Sequence, residues 1–338
     1  MKKFFLFLGL IALTAAGCKD DAELFRVPES TSSVGSHSGS DVWERKADLS
    51  IVRSEAVAFS IGNKGYIGTG VTSSGGFRTL RDFWEYDPNT DAWTQKADVG
   101  NVARRRAVGF SLNGKGYIGT GYAGSFTSSS ASDDFWQYSP ASNTWEEKAS
   151  VPGGGRGGAA GFALASRGYV GTGSPTDFVF LNDFYAYEPA KDRWERRADF
   201  EGSARAGAVG FSLAANGYLG TGVTLDGPNN VFLRDFWKYS PSADQWIQVA
   251  SLPVGRTEAV AFSISNLGFV GTGGAENALR DFYQYNAVSD TWTSIADFGG
   301  GERLEAVAFS IGPKGYVGTG ISPSSSPEDQ KDLWAYRP

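Results

Sequence analysis

Hydrophobic and polar positions along this chain follow one pattern that is repeated six times. In the first copy, the small and apolar residues 55–61 predict a buried strand, here called A, and residues 62–65 predict a tight turn into strand B at residues 66–69. Aromatic residues alternate across both faces of residues 82–86, which predicts strand C. After a turn rich in aspartate, asparagine and proline, residues 93–96 predict strand D.

The phrase Gly-aromatic-aliphatic-Gly-Thr-Gly covers strand B and sets the period of the repeat. Its six copies occupy residues 65–70, 116–121, 168–173, 217–222, 268–273 and 315–320, and their final glycines are 47 to 52 residues apart. Self-similarity of this length is typical of stacked or circular arrays of one structural unit. The threonine of the phrase is expected to add a side-chain hydrogen bond at the end of the strand.

A four-stranded sheet of this kind cannot bury both of its faces alone, but radial packing of one sheet against the next can. The small residues of strand A suit a crowded centre, and the large aromatic residues of strands C and D suit a wider rim. We therefore predict an all-β fold over residues 41–338: a six-bladed β-propeller of four-stranded antiparallel blades.

The tryptophan of strand D predicts how the two ends of the propeller meet. The last copy stops after its strand C at residues 332–336, and the sixth tryptophan is Trp43, at the start of the predicted propeller. Residues 41–46 are therefore predicted to supply strand D of the last blade, which closes the ring and removes an exposed sheet edge. The other five tryptophans are Trp93, Trp145, Trp194, Trp246 and Trp292.

The complete pattern resembles Kelch repeats. It combines a paired-glycine end to strand B, an aromatic pair about sixteen residues later, a Tyr-x-Pro turn and a tryptophan. The resemblance covers residues 41–338, with one departure, since the usual Gly-Gly reads Gly-Thr-Gly in every copy. It implies a six-bladed Kelch-type propeller.

The first 40 residues are typical of an exported lipoprotein. Residues 1–17 combine two lysines, the apolar run 4–13 and small residues before Cys18, which resembles a bacterial lipobox, although Leu13 lies further from the cysteine than usual. We predict that Cys18 is lipidated and binds the membrane; the alternative is an ordinary signal peptide with an incidental cysteine. Residues 18–40 predict a flexible tether.

The acidic residues just after Cys18 predict the cellular location of the protein. Residues 19–21 read Lys-Asp-Asp, which resembles the surface-export signal of Bacteroidetes lipoproteins. The expected location is therefore the outer membrane, with the propeller exposed at the cell surface and a periplasmic orientation as the alternative.

Composition excludes several functions. The formal net charge is −6, which argues against a nucleic-acid partner. His37, in the tether, is the only histidine and Cys18 is the only cysteine, so we expect no metal site, no cofactor and no histidine-based catalysis in the propeller. Galactose oxidase has a Kelch-like propeller, but its copper site needs histidines and a cysteine, and that activity is rejected.

The connections from strand D to A and from B to C are expected to share one face of the propeller, here called the loop face, because neighbouring strands are antiparallel. Variable loops on a rigid scaffold commonly carry binding sites. An arginine is repeated there in every copy, and it either surrounds the channel mouth or, as we favour for most of the set, pairs with the repeated aspartate of strand C. The arginines are Arg53, Arg104, Arg156, Arg205, Arg256 and Arg303, and the aspartates are Asp82, Asp134, Asp183, Asp235, Asp281 and Asp332.

The symmetry is broken two residues after each arginine, where the chain reads Glu55, Arg106, Gly158, Gly207, Glu258 and Glu305. These charges predict a polar ligand site at the channel mouth; alternatively they pair with each other and bind nothing. Aromatic residues of the B–C loops, Phe77, Tyr122, Phe126, Phe178, Phe180 and Phe232, offer platforms for a ligand or cover the blade edges. The predicted ligand-binding residues are Glu55, Glu258, Glu305, Arg53, Arg106, Arg256 and Arg303.

Three functions remain open from the sequence. The first is a binding module for a glycan or protein ligand at the loop face. The second is a sugar mutarotase or epimerase similar to the Kelch mutarotase of N-acetylneuraminic acid, whose site uses arginine and glutamate but cannot be matched here residue by residue. The third is a structural component of a surface assembly. Catalysis is the less expected outcome.

Overall fold

A computed structural model of the chain describes residues 41–125, 128–176, 179–323 and 328–338. These residues form strands and turns with no α-helix, apart from one 3₁₀ turn at Pro189–Lys191, which confirms the all-β prediction. No helix in the described part of the chain is long and apolar enough to cross a membrane. The predicted signal peptide 1–17, the lipidation site Cys18 and the tether 18–40 lie outside the described residues.

The described strands form six four-stranded antiparallel sheets in the order A-B-C-D, numbered here as blades one to six by the chain order of their A strands. Strand A spans Val57–Ile61, Val108–Leu112, Ala160–Leu164, Val209–Leu213, Val260–Ile264 and Val307–Ile311. Strand B spans Lys64–Gly68, Lys115–Gly119, Arg167–Gly171, Asn216–Gly220, Leu267–Gly271 and Lys314–Gly318.

The outer half of each sheet holds the aromatic strands. Strand C spans Phe83–Asp87, Phe135–Ser139, Phe184–Glu188, Phe236–Ser240, Phe282–Asn286 and Leu333–Arg337. Strand D spans Ala92–Lys96, Thr144–Lys148, Arg193–Arg196, Gln245–Val249, Thr291–Ile295 and, in blade six, Val42–Lys46. Short strands in the loops are Val71–Thr72, Arg78–Thr79, Arg104–Arg105, Tyr122–Ser125, Ser128–Ala131, Val223–Asp226, Asn229–Phe232, Ile321–Ser322 and Glu328–Asp329.

Close packing at the centre explains the small residues of strand A and the first glycine of the repeated phrase. A Cβ at Gly109 would lie 2.2 Å from Cγ1 of Val57 in the neighbouring A strand. A Cβ at Gly65 would lie 2.2 Å from the ring of Phe309, which blade six sends against strand B of blade one. Because backbone atoms of one blade touch a ring of the next, larger side chains at these positions would force the blades apart.

Each strand D tryptophan forms a hydrogen bond with the preceding blade. Trp93 donates from Nε1 to the carbonyl of Ala47, 2.9 Å away, and the equivalent bond recurs in the other blades. Asp91, in the turn before that strand, accepts from the amide of Ala47 at 2.9 Å and from the hydroxyl of Tyr86 at 2.7 Å. The carboxylate is thus shared between two blades.

The N-terminal strand makes the same contacts in blade six. Val42–Lys46 pairs antiparallel with Leu333–Arg337, as predicted for the sixth strand D. Asp41 accepts from the hydroxyl of Tyr336 at 2.7 Å, and Trp43 packs against Phe282 and Phe298 with ring centroids about 5 Å apart. Neighbouring A strands are in contact from blade one to blade six, and blade six in turn contacts blade one.

The threonine of the repeated phrase has a different role from the expected one. Thr69 has a φ of +63°, and its carbonyl accepts a hydrogen bond from Nη1 of Arg53 at 3.0 Å. The predicted side-chain bond is wrong in five blades, where the buried Oγ1 atoms have no partner among the described residues, because the backbone at this turn already uses the nearby donors. Within the described part of the chain, the sixth threonine, Thr172, accepts a bond at Oγ1 from the amide of Ala160 at 3.4 Å.

Candidate functional site

The repeated arginines lie inside the scaffold. Arg53 is fully buried and holds both carboxylate oxygens of Asp82, at 3.0 and 2.6 Å, so it joins the start of strand A to the start of strand C. The same fork-to-fork pairing recurs in all six blades, where it satisfies a charge that burial would otherwise make costly. The pairs are Arg53–Asp82, Arg104–Asp134, Arg156–Asp183, Arg205–Asp235, Arg256–Asp281 and Arg303–Asp332.

This placement corrects part of the predicted site. Arg53, Arg256 and Arg303 are at most 1% exposed, so a ligand at the channel mouth does not reach their guanidinium groups. Each of them pairs with the strand C aspartate of its own blade, which is the arrangement that the sequence favoured for most of the set. The four remaining predicted residues, Arg106 and the three glutamates, do meet at the mouth.

Those four residues occupy a strained backbone position that recurs in every blade. Glu55, Arg106, Glu258 and Glu305 have φ between +52° and +56°, and the glycines at the equivalent position have +63° and +66°. Amides at this position donate to the carbonyl of the preceding blade, for example Arg106 to Glu55 at 3.0 Å and Gly158 to Arg106 at 2.9 Å. A side chain in this conformation costs about 1–2 kcal/mol relative to glycine, so four of the six blades bear a cost that two avoid.

Arg106 crosses the mouth of the channel and binds all three glutamates. Its Nε lies 3.0 Å from Glu55 Oε1, and its Nη2 lies 2.6 Å from Glu258 Oε1 and 2.6 Å from Glu305 Oε1. Because Arg106 belongs to blade two and Glu258 to blade five, the side chain spans the ring between opposite blades. Arg105 binds the other oxygen of Glu55 at 2.8 Å. These five residues are called the mouth cluster below.

Burial and charge separate the glutamates of the mouth cluster. Burial alone would raise the pKa of Glu55, but Arg106 and Arg105 more than offset it and hold the pKa below its ordinary value. Burial and the charges of Glu55 and Glu258 raise the pKa of Glu305 well above its ordinary value. The pKa of Arg106 is raised by the three carboxylates. The site therefore favours the protonated form of Glu305 and the charged form of Arg106.

A cavity of about 140 Å³ lies at the mouth, against the cluster. Arg106, Glu55, Glu258 and Glu305 line one side of it, and Gly158 and Gly207 line the other with backbone alone. The side chains of Arg106 and Glu258 are 22% and 19% exposed, so both are accessible from solvent. Below the mouth, a channel of about 160 Å³ is lined by alanine, valine and glycine of the six A strands. The described residues contain no group of three or more histidine, cysteine or acidic side chains placed to hold a metal ion.

The B–C loops of blades two and four each form a hairpin, in which Tyr122–Ser125 pairs with Ser128–Ala131 and Val223–Asp226 pairs with Asn229–Phe232. In blade two, Tyr122 lies under the guanidinium of Arg105, 5.0 Å from the ring centroid, and donates to the carbonyl of Ser174 at 3.1 Å. Phe77 of blade one is 67% exposed. Phe180 and Phe232 are half-buried, whereas Phe126 and Phe178 lie outside the described residues.

Comparison with known proteins identifies the fold. No family model matches the chain, and no curated protein matches it. Among solved structures, the chain is similar to one titled "Structure of YjhT", with a TM-score of 0.71 and 14% sequence identity over 85% of this chain and 95% of that one. At this identity the likeness shows a β-propeller and carries no ligand or activity from one protein to the other.

Proposed function

We propose that the chain is a lipid-anchored, extracytoplasmic Kelch-type propeller that acts as a binding module, and that its ligand is a glycan held at the channel mouth. The observation that carries the proposal is the mouth cluster itself. Gly158 and Gly207 show that the backbone of the ring forms without side chains at this position. Four blades nevertheless keep charged residues in a strained conformation, and such strain is commonly retained at functional sites.

Stability alone is a poor reason to keep the mouth cluster. Buried ion pairs often contribute little net stability, because removing charges from water offsets their attraction. Partial exposure of Arg106 and Glu258 leaves their polar atoms within reach of a ligand. Carboxylate acceptors beside a guanidinium donor suit hydroxyl groups, which both donate and accept.

The size of the cavity favours a glycan over a protein ligand. A volume of about 140 Å³ corresponds to roughly five water molecules. That space accepts the hydroxyl groups of one terminal sugar unit, whereas a protein partner would rest on the surrounding hairpins. The exposed Phe77 on the same face offers an aromatic surface for an adjoining unit.

The position of the N-terminal strand supports an outward-facing site. Lys46 pairs with Leu333, next to Asp332, which binds Arg303 on the loop face. Asp41, at the other end of that strand, therefore lies on the face opposite the mouth. If Cys18 anchors the chain to the outer membrane, the tether joins the propeller at residue 41, on the face opposite the mouth.

A sugar mutarotase is the alternative, and one observation favours it. Glu55 and Glu305 share one site, yet one pKa is lowered and the other raised. Two carboxyl groups with separated pKa values are the usual means of pairing a general base with a general acid. Opening and closing a sugar ring needs such a pair.

A glycan array probed with the purified protein tests the proposal, and calorimetry then measures the affinity of each glycan bound. Gly158→Gln should abolish binding, because it fills the open side of the mouth, and four other blades accept a side chain in this conformation. The matched control is Gly62→Gln in the A–B turn of the opposite face. Gly62 has a φ of +60° and open space around its Cβ, and its equivalents Asn113 and Ala165 have φ of +53° and +51°.

The two variants separate a mouth site from binding elsewhere. Binding that survives Gly158→Gln would place the ligand outside the mouth. The absence of any bound glycan, together with capture of a protein on the loop face, would replace the glycan with a protein partner. Faster exchange of sugar anomers in the presence of the protein, measured by NMR, would favour the mutarotase.

A further inference from the structure

Resting on the function proposed above, we infer that the channel mouth takes an uncharged, polyhydroxylated ligand and discriminates against acidic sugars. Three features of the loop face support this: the pairing of the charges in the mouth cluster, the residues that line the cavity, and the burial of the other arginines.

The positive charges of the mouth cluster are already paired with carboxylates. Arg106 contacts one oxygen of each of three glutamates at 2.6 to 3.0 Å, and Arg105 holds the second oxygen of Glu55 at 2.8 Å. An acidic sugar would have to take a guanidinium away from a carboxylate that is largely buried. Otherwise it would bring a fourth carboxylate next to three, and like charges at this distance repel strongly in a partly buried site.

No other positive group lines the cavity among the described residues. The charged residues in its wall are Arg106, Glu55, Glu258 and Glu305, and the rest are alanine and glycine. The nearest set of arginines cannot compensate, because each is buried and holds both oxygens of its strand C aspartate. An acidic ligand therefore finds no free cation in the wall of the mouth.

A cationic ligand has no advantage either. Three glutamates and two arginines leave at most one excess negative charge, and burial and the neighbouring carboxylates raise the pKa of Glu305, which reduces that excess. A neutral ligand can accept from Arg106 and donate to Glu258 without changing the charge of the site. Hydroxyl groups have both capacities.

The experiment compares matched sugars that differ only in charge. Terminal glucose, glucuronic acid and glucosamine, and the corresponding galactose series, are presented on the same linker, and affinities are measured by calorimetry for the best pairs. We expect the neutral sugar of each series to bind at least tenfold more tightly than the acid. Glu258→Gln removes one negative charge and keeps the side-chain size, so it should narrow the ratio at least threefold, while Gly62→Gln leaves the ratio unchanged.

Salt provides a second measurement that needs no variant. Repulsion of the acid is screened by salt, so the neutral-to-acid ratio of the wild-type protein should fall between 20 mM and 500 mM sodium chloride. Equal or tighter binding of the acid, or tightest binding of the amine, would overturn the inference and leave the glycan-binding proposal standing. Sugar binding that is unaffected by Gly158→Gln, or no sugar binding at all, would overturn the proposal that the ligand binds at the mouth.

Discussion

Two glutamates of the mouth cluster bind the same guanidinium but should respond in opposite ways to substitution by glutamine. Glu55 accepts from Arg105 at 2.8 Å and from Arg106 at 3.0 Å, and its pKa is lowered by these two arginines against the effect of burial. Glu305 contacts Arg106 at 2.6 Å, but burial, Glu55 and Glu258 raise its pKa. Glu55→Gln removes a carboxylate whose charged form the site favours, whereas Glu305→Gln replaces a carboxyl whose protonated form the site favours.

The expected magnitudes follow from those contacts. Breaking one partner of a buried ion pair costs about 3–5 kcal/mol, and the amide keeps one acceptor oxygen, so Glu55→Gln should lower the free energy of unfolding by about 3 kcal/mol at pH 7. Glu305→Gln should change it by about 1 kcal/mol or less near pH 4, because a protonated carboxyl and an amide have similar size and hydrogen-bonding groups. At pH 7 the variant should be more stable than wild type, because its unfolding no longer releases a proton.

The pH dependence of the free energy of unfolding distinguishes the two glutamates independently, because their contributions change with pH in opposite directions. For Glu55, whose folded pKa is lowered, the contribution is full above the unfolded pKa and is lost as pH falls through the folded pKa. For Glu305, the folded state keeps a proton that the unfolded state releases, so the contribution is lost as pH rises from the unfolded pKa towards the raised folded pKa. The slope of that loss is about 1.4 kcal/mol per pH unit, and Glu305→Gln should abolish it.

Urea denaturation between pH 4 and pH 8 measures both effects, with Glu146→Gln on an exposed strand D as the control. The stability of Glu305→Gln relative to wild type should rise with pH, and that of Glu55→Gln should fall towards a plateau. Equal losses for the two variants at pH 7, or a Glu305→Gln variant that is the less stable of the two, would refute this account of where the proton resides.

Three further predictions concern the anchor, the closure and the scaffold. Cys18→Ala should release the protein from the membrane fraction, and unchanged fractionation with no lipid on the N-terminal peptide by mass spectrometry would contradict lipidation. Trp43→Ala should destabilise the protein by about 3–5 kcal/mol and expose the strand C edge around Trp334 to aggregation; a wild-type melting temperature would contradict closure by this strand. Arg104→Met should cost about 3–5 kcal/mol by leaving Asp134 unpaired, and Arg104→Met combined with Asp134→Leu should recover part of that loss in thermal denaturation.

Strands were predictable because their pattern is local. The aromatic alternation at residues 82–86 differs by one residue from the observed strand Phe83–Asp87, and the strand around Trp93 differs by one residue at its start. The pairing of the Trp43 strand with the last blade could also be inferred, because five blades have their own strand D tryptophan and the last blade lacks one. These inferences need only side-chain type and period.

The sequence suggested the pairing of the repeated arginines with aspartates but not their complete burial. Arginine is usually a surface residue, so its type suggests exposure, whereas its repetition beside a repeated aspartate suggests a pair. The deciding fact is three-dimensional: Arg53 and Asp82 are 29 residues apart, and they meet because strands B and C bring the ends of two connections to one face. Sequence alone left both interpretations open, and burial distinguishes them.

The reach of Arg106 across the channel could not be predicted, because it depends on the width of the ring. That width is set by the A strands, which lie so close together that a Cβ at Gly109 would collide with Val57 of the neighbouring blade. With the centre this narrow, one side chain from blade two extends to Glu258 and Glu305 in blades five and six. Larger residues lining the channel would move the opposite blades apart and separate these charges. In the sequence, the small residues of strand A indicate only close packing. In the structure they also keep the channel narrow enough for one arginine to bind glutamates on the opposite side of the mouth.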